Sequence, residues 1–68
     1  MSPTPKQMGR RLQKLRKDRD MSRAKLAGLA GISREYVRNL EDGKYDPTMG
    51  TLQRIAKALG VPVTKLLG

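Results

Sequence analysis

Apolar residues recur along this chain at intervals of three and four positions, the spacing that places side chains on one face of an α-helix. No segment alternates apolar and polar residues with period two, and no segment repeats another. The pattern predicts an all-α fold of five helices. The clearest apolar positions are Met8, Leu12 and Leu15 in the first predicted helix and Leu52, Ile55, Ala56 and Leu59 in the fourth.

The start and end of the first predicted helix have a local chemical cause. Thr4 is suited to be the N-cap, Pro5 occupies the first helical position, and Gln7 completes a capping box. The helical pattern fades near Arg19 and Asp20. We therefore expect residues 1–4 to form a short N-terminal arm and residues 5–68 to form a single domain.

Similar signals bound the other helices. Ser22, Ser33 and Thr48 are predicted N-caps of helices two, three and four, since their hydroxyl groups can accept from the free N–H groups of a first turn. Glycines end the same three helices, as expected at left-handed C-terminal positions, and the last turn of helix is expected over residues 62–67. The helix-ending glycines are Gly31, Gly43 and Gly60.

The third predicted helix carries an unusual polar side. At about 100° per residue, Val37 and Leu40 define its inward direction, and Tyr36 lies at the edge. The polar residues on the outward side are Arg34, Glu35, Arg38, Asn39 and Asp42. These side chains either form an ordinary solvated face or meet a partner.

Charge favours a partner. Fifteen Lys and Arg against six Asp and Glu give a net charge of +9 at pH 7, which predicts attraction to a polyanion without separating DNA, RNA and an anionic membrane. The chain has no Cys and no His, so it lacks disulfides, thiolate metal sites and the usual acid–base catalyst. We expect no enzymatic activity, no metal and no cofactor. No apolar run approaches the roughly 18 residues of a membrane span, and we expect a cytoplasmic, nucleoid-associated protein.

The spacing around the third helix resembles the helix-turn-helix of the phage-repressor and Cro-type family. The matching positions are Leu26, Ala27, Ala30, Gly31, Ile32, Val37 and Leu40. In that family a small residue, here Ala27, lets the two helices cross closely. Gly31 then makes the turn, and Val37 and Leu40 seat the recognition helix. The segments LEDGK and DPTMGTLQRIAKALGVPVTKLL extend the similarity to about residues 8–67.

The resemblance implies that Arg34, Glu35, Arg38 and Asn39 read bases in the major groove. Their chemistry agrees, because Arg can fork onto guanine O6 and N7, Asn can pair with adenine N6 and N7, and Glu can accept from cytosine N4. Glu35 either reads a base or supports a neighbouring arginine. Tyr36 either packs, contacts phosphate or reads a base.

The resemblance also implies phosphate contacts from the start of the second helix and from the loop after the third. The implied residues are Ser22 and Arg23 in the first region and Lys44 and Thr48 in the second, and Arg16 and Tyr36 are further candidates for phosphate contacts. Arg23 stands where family members often have Gln, which leaves a phosphate role and a combined phosphate and base role both open. Asp42 and Asp46 depart from the family pattern, since a carboxylate is repelled by phosphate.

Two further pairings follow from the resemblance. Arg16 and Glu41 match an ion pair that ties the recognition helix to the first helix. Val63, Leu66 and Leu67 match the region where family members dimerise, although the same side chains are equally suited to the core.

The sequence thus predicts a sequence-specific regulator of transcription, most simply a repressor, that binds double-stranded DNA as a twofold homodimer on a palindromic site. The alternative is an antitoxin or a coactivator-like protein-interaction module built on the same fold.

Overall fold

A computed structural model describes residues 3–68 and confirms the all-α fold of five helices over that part of the chain. The helices are α1 (Pro5–Asp18), α2 (Arg23–Ala30), α3 (Arg34–Glu41), α4 (Met49–Leu59) and α5 (Thr64–Leu67). Residues 1–2 of the predicted N-terminal arm lie outside the described residues. The last helix is shorter than predicted: it begins at Thr64 rather than near Pro62, and Val63 before it provides no side-chain cap.

The helix starts lie where the capping residues predict them. The Thr4 hydroxyl accepts from the Gln7 backbone N–H at 3.1 Å, and the Gln7 side-chain oxygen accepts from the Thr4 N–H at 3.0 Å, which completes the capping box. Ser22, Ser33 and Thr48 each accept from the N–H three residues later. Each such cap stabilises a helix by about 1 kcal/mol, so four short helices begin at defined residues.

The core is aliphatic and joins all five helices. α3 packs against both α1 and α2, α2 also packs against α4, and α5 closes the end of α1. The largest fully buried side chains are Leu12, Leu26, Val37, Leu40, Ile55 and Leu66. The predicted role of Leu66 in a dimer contact is therefore wrong, because its side chain has no exposed surface and belongs to the core.

Gly9 marks the closest approach between α1 and α3, a feature that the sequence analysis did not identify. A Cβ atom at this position would collide with the backbone carbonyl oxygen of Leu40 and would lie 2.7 Å from that of Glu41. Only a residue without a side chain allows the two backbones to come this close. The end of α3 is thus held directly against α1.

Candidate nucleic-acid interface

α2 and α3 form a tight helix-turn-helix unit. Gly31 ends α2 with φ of +70°, and its N–H and that of Ile32 both donate to the Ala27 carbonyl oxygen. Ser33 caps α3 directly afterwards. Ala27, Val37 and Leu40 are all buried. The positions assigned to a helix-turn-helix therefore have the local geometry that such a unit requires.

The outward side of α3 is open to solvent. Arg34, Glu35 and Arg38 are exposed, and Asn39 is half-buried beside them. Val37 and Leu40 on the opposite side are completely buried, which fixes the rotation of the helix about its axis. The structure thus brings all four predicted base-reading residues onto one accessible surface.

Asp42 ends this surface, and its carboxylate is turned toward a neighbouring arginine. The Arg38 Nε atom lies 3.9 Å from Asp42 Oδ2, one helical turn away, and both side chains are exposed. Exposed pairs of this kind contribute little to stability. The contact is loose enough for Arg38 to leave Asp42 and bind another group.

A buried ion pair anchors the opposite side of α3. The Nε atom of Arg16 donates to Glu41 Oε2 at 2.6 Å, and its Nη2 atom donates to Glu41 Oε1 at 3.1 Å. Its Nη1 atom donates to the Met21 carbonyl oxygen at 2.8 Å. The two side chains are only 9% and 1% exposed. The predicted ion pair between Arg16 and Glu41 is thus present, and the guanidinium is bound on all three nitrogens, whereas the phosphate contact of Arg16 stays a prediction.

Arg23 joins the same carboxylate, which the sequence analysis did not foresee. Its Nε atom donates to Glu41 Oε1 at 3.0 Å, and its side chain remains 35% exposed. Arg23 and Glu41 are eighteen positions apart, so no helical spacing connects them. The sequence offered one signal of this contact. Arg23 stands where family members often have Gln, and arginine is a longer, charged side chain that can reach an internal carboxylate.

Arg23 also lines a cleft on the outward side of α3. The other lining residues are Arg34, Glu35 and Arg38, and the volume of the cleft is about 420 Å³. Three arginines and one glutamate therefore line a single cleft beside α2 and α3. Such a cleft can accept a ligand that offers several hydrogen-bond acceptors.

The remaining predicted phosphate contacts lie at helix starts and in the loop after α3. Ser22 and Thr48 are the N-caps of α2 and α4, and each hydroxyl group accepts from one N–H of the first turn of its helix. The other N–H groups of those first turns point toward the same helix ends. Lys44 is exposed, and its backbone N–H donates to the Asn39 carbonyl oxygen at 3.0 Å. This bond ties the loop to the end of α3.

An aromatic pair connects α3 with that loop. The ring centroids of Tyr36 and Tyr45 lie 5.7 Å apart at an interplanar angle of 34°. Tyr36 is half-buried against the core, whereas Tyr45 is 47% exposed. Packing is therefore one role of Tyr36, and its ring supports a second, exposed aromatic side chain that sequence reasoning did not single out.

The positive charge is distributed unevenly over the described helices. α1 carries six basic residues and one acidic residue, whereas α3 carries two of each. α3 therefore has no net charge of its own. The positive charge of the described residues lies mainly on the other helices.

The described residues offer no metal site, since no three His, Cys, Asp or Glu side chains among them lie close enough to hold an ion. Among residues 3–68, no helix has the length and apolar composition needed to cross a bilayer.

A helix-turn-helix family profile matches residues 12–66 of the chain. The immunity repressor protein of Bacillus phage phi105 is 36% identical over 61 residues, which cover 90% of this chain and 42% of the repressor. The restriction-modification controller protein C.AhdI from Aeromonas hydrophila has a similar structure, with a TM-score of 0.90 and 30% identity. That match covers 93% of this chain and 96% of the controller.

The same fold also occurs within a hydroxypropylphosphonic acid epoxidase from S. wedmorenis, with a TM-score of 0.87 and 30% identity. The chain covers 35% of that enzyme, and it spans less than half the length of the phage repressor. The profile match over most of the chain and the geometry of α2 and α3 agree with each other. This chain belongs to the helix-turn-helix family, with similarity to phage repressors and bacterial transcription regulators.

Proposed function

We propose that this protein is a sequence-specific regulator of transcription, most simply a repressor, that reads double-stranded DNA with α3 in the major groove. The observation that carries this proposal is the exposed polar side of α3, held in place by a fully buried opposite side. A surface that must match base edges needs such a fixed support, because each bidentate contact depends on direction as well as distance.

Each residue on this surface has a definite chemical role in the proposal. Arg34 and Arg38 present planar forks to guanine O6 and N7, and Asn39 pairs with adenine N6 and N7. Glu35 either accepts from cytosine N4 or orients a neighbouring arginine. Because α3 carries as many acidic as basic residues, its contribution is discrimination between sequences rather than general attraction to DNA.

Phosphate contacts then orient the domain on the duplex. The N-terminal N–H groups of α2 and α4, together with the helix dipoles, suit phosphate oxygens beside Ser22 and Thr48. Lys44 supplies an exposed charge next to the recognition helix. Tyr36 and the Tyr45 ring in contact with it are further candidates for phosphate contacts through their phenolic hydroxyl groups.

A twofold homodimer completes the proposal. One recognition helix reads too few base pairs to define a genomic site, and paired half-sites lie about 34 Å apart in such complexes. Val63 and Leu67 remain candidates for the contact because they are only partly buried. A regulator of this kind works on the nucleoid in the cytoplasm, and no catalytic step is part of the proposal.

A protein-interaction module is the second candidate. Leu29 is 54% exposed, next to a groove between α2 and α4 whose rim carries Arg54 and Lys57. An exposed leucine beside basic residues suits an acidic protein segment, as an antitoxin or coactivator-like protein would require.

Selection of binding sites from a pool of randomised duplex DNA tests the proposal. A palindromic enriched sequence supports both base reading and the dimer, whereas an enriched sequence without symmetry supports base reading alone. A pool that yields no enriched sequence contradicts the proposed function and favours the protein-interaction module.

A further inference from the structure

We infer that Arg23 is a specificity-determining residue of this interface: Glu41 holds its guanidinium in a fixed direction, and its free end recognises a guanine at the edge of the half-site. This inference rests on the proposed function, because it assigns one more base contact to the same DNA surface.

The anchor of Arg23 is unusually rigid. Glu41 is 1% exposed and accepts two hydrogen bonds from Arg16, at 2.6 and 3.1 Å. Arg16 is itself fixed by the Met21 carbonyl oxygen at 2.8 Å. The Nε atom of Arg23 donates to Glu41 Oε1 at 3.0 Å. Arg23 is therefore bound to a buried carboxylate that Arg16 already holds in place.

The same side chain lies beside three of the proposed base-reading residues. Neither η nitrogen of Arg23 has a hydrogen-bond acceptor among residues 3–68, although the Nε atom is bound. The side chain lines a cleft together with Arg34, Glu35 and Arg38, three of the proposed base readers. The two η nitrogens of an arginine present the paired N–H donors that match guanine O6 and N7.

This arrangement suits base reading better than phosphate binding. A phosphate contact gains from the full positive charge of a guanidinium, and it positions the domain without discriminating between bases. In this site a buried carboxylate offsets part of the charge of Arg23 and restricts its direction. The contact with Glu41 therefore weakens the general attraction of Arg23 to DNA. It also fixes the orientation of the guanidinium, which favours discrimination between bases.

Arg23→Lys is the decisive substitution, because it preserves the charge and removes the planar fork. Arg54→Lys on the exposed side of α4 is the matched control, since it makes the same change outside the cleft. Binding is measured to the selected duplex and to duplexes in which each G·C pair of a half-site is replaced in turn, at several salt concentrations. We expect Arg23→Lys to lose discrimination at one G·C pair by roughly 5- to 150-fold, with an unchanged salt dependence.

Glu41→Gln tests the positioning role. We expect it to lose discrimination at the same G·C pair as Arg23→Lys, and we expect the double variant to lose no more than either single variant. Circular dichroism and thermal melting establish whether Glu41→Gln is folded. If Glu41→Gln does not fold, Arg23→Lys alone tests the inference, because the Arg23 side chain is partly exposed.

Two results would overturn the inference. One is undiminished discrimination at every G·C pair in Arg23→Lys. The other is an equal loss on selected and random DNA in Arg23→Ala, with the salt slope reduced by about one unit, which would make Arg23 a phosphate contact. Both presuppose a selected sequence for the unaltered protein. A failure to obtain one counts against the proposed function, so the two failures are distinguishable.

Discussion

The carboxylate of Glu41 lies between Arg16 and Arg23. Arg16 binds it on the side of the protein interior, with hydrogen bonds of 2.6 and 3.1 Å. Arg16 lies in α1 and Glu41 ends α3, so this contact connects α1 with the helix that carries the proposed base-reading surface. It is the most buried ionic contact among the described residues.

Removing one partner of this pair should strongly destabilise the fold. We expect Arg16→Ala to lower the free energy of unfolding by about 3–5 kcal/mol, because a buried carboxylate then loses its main counter-charge. Urea unfolding followed by circular dichroism measures the change. Lys14→Ala is the control, since it breaks the exposed pair with Asp18 and should cost at most about 1 kcal/mol. Similar losses in both variants would contradict a special role for the buried pair.

Gly9 and Gly28 should respond in opposite ways to the same substitution. Gly9→Ala forces a Cβ atom against the Leu40 and Glu41 carbonyl oxygens and should destabilise the protein. Gly28→Ala has no atom within 4 Å of the new Cβ, and we expect it to stabilise α2 by up to about 1 kcal/mol. Thermal melting of the two variants checks both signs. A stabilising Gly9→Ala would show that α1 and α3 can separate without cost.

Asn39→Ala should reduce sequence discrimination without a change of charge. We expect a loss of about 1–3 kcal/mol on the selected duplex and almost none on random DNA, since a bidentate contact to adenine disappears. Fluorescence anisotropy titrations on both duplexes measure the difference. Gln53→Ala, an exposed amide on α4, is the control and should leave both affinities unchanged. Equal losses on the two duplexes would remove Asn39 from the base-reading set.

Lys44→Ala should weaken binding to all sequences to a similar extent. Loss of one phosphate contact is expected to reduce the slope of log affinity against log salt by about one unit. The comparison is Lys65→Ala, which removes an equal charge from α5. If the two variants give the same slope, the charge at Lys44 acts only through the net charge of the domain.

Leu67→Glu should convert a dimer into a monomer if the contact lies at α5. Analytical ultracentrifugation over a range of concentrations gives the association state directly. Leu29→Glu is the control, because it places the same charge on an exposed leucine in α2. Dissociation by Leu29→Glu and not by Leu67→Glu would move the contact to the groove between α2 and α4.

The starts of the first four helices and the identity of most core residues were predictable from the sequence alone. Caps are local, because a hydroxyl group and an N–H three residues later meet in almost any helix start. The inward direction of α3 was also predictable, since the helical repeat relates Val37 and Leu40 to the polar residues opposite them. The fold class and the candidate base-reading surface could therefore be predicted, because both depend on relationships between residues close in sequence.

The close contact at Gly9, the burial of Leu66 and the hydrogen bond from Arg23 to Glu41 depended on the tertiary structure. Each of them joins residues that are distant in sequence, and no periodicity relates positions on different helices. Leu66 and Leu67 have the same chemistry, yet only the packing of α5 against α1 decides which of them is fully enclosed. The direction of Arg23 was likewise decided by a carboxylate eighteen residues away, because only the crossing of α2 and α3 brings the two groups within bonding distance.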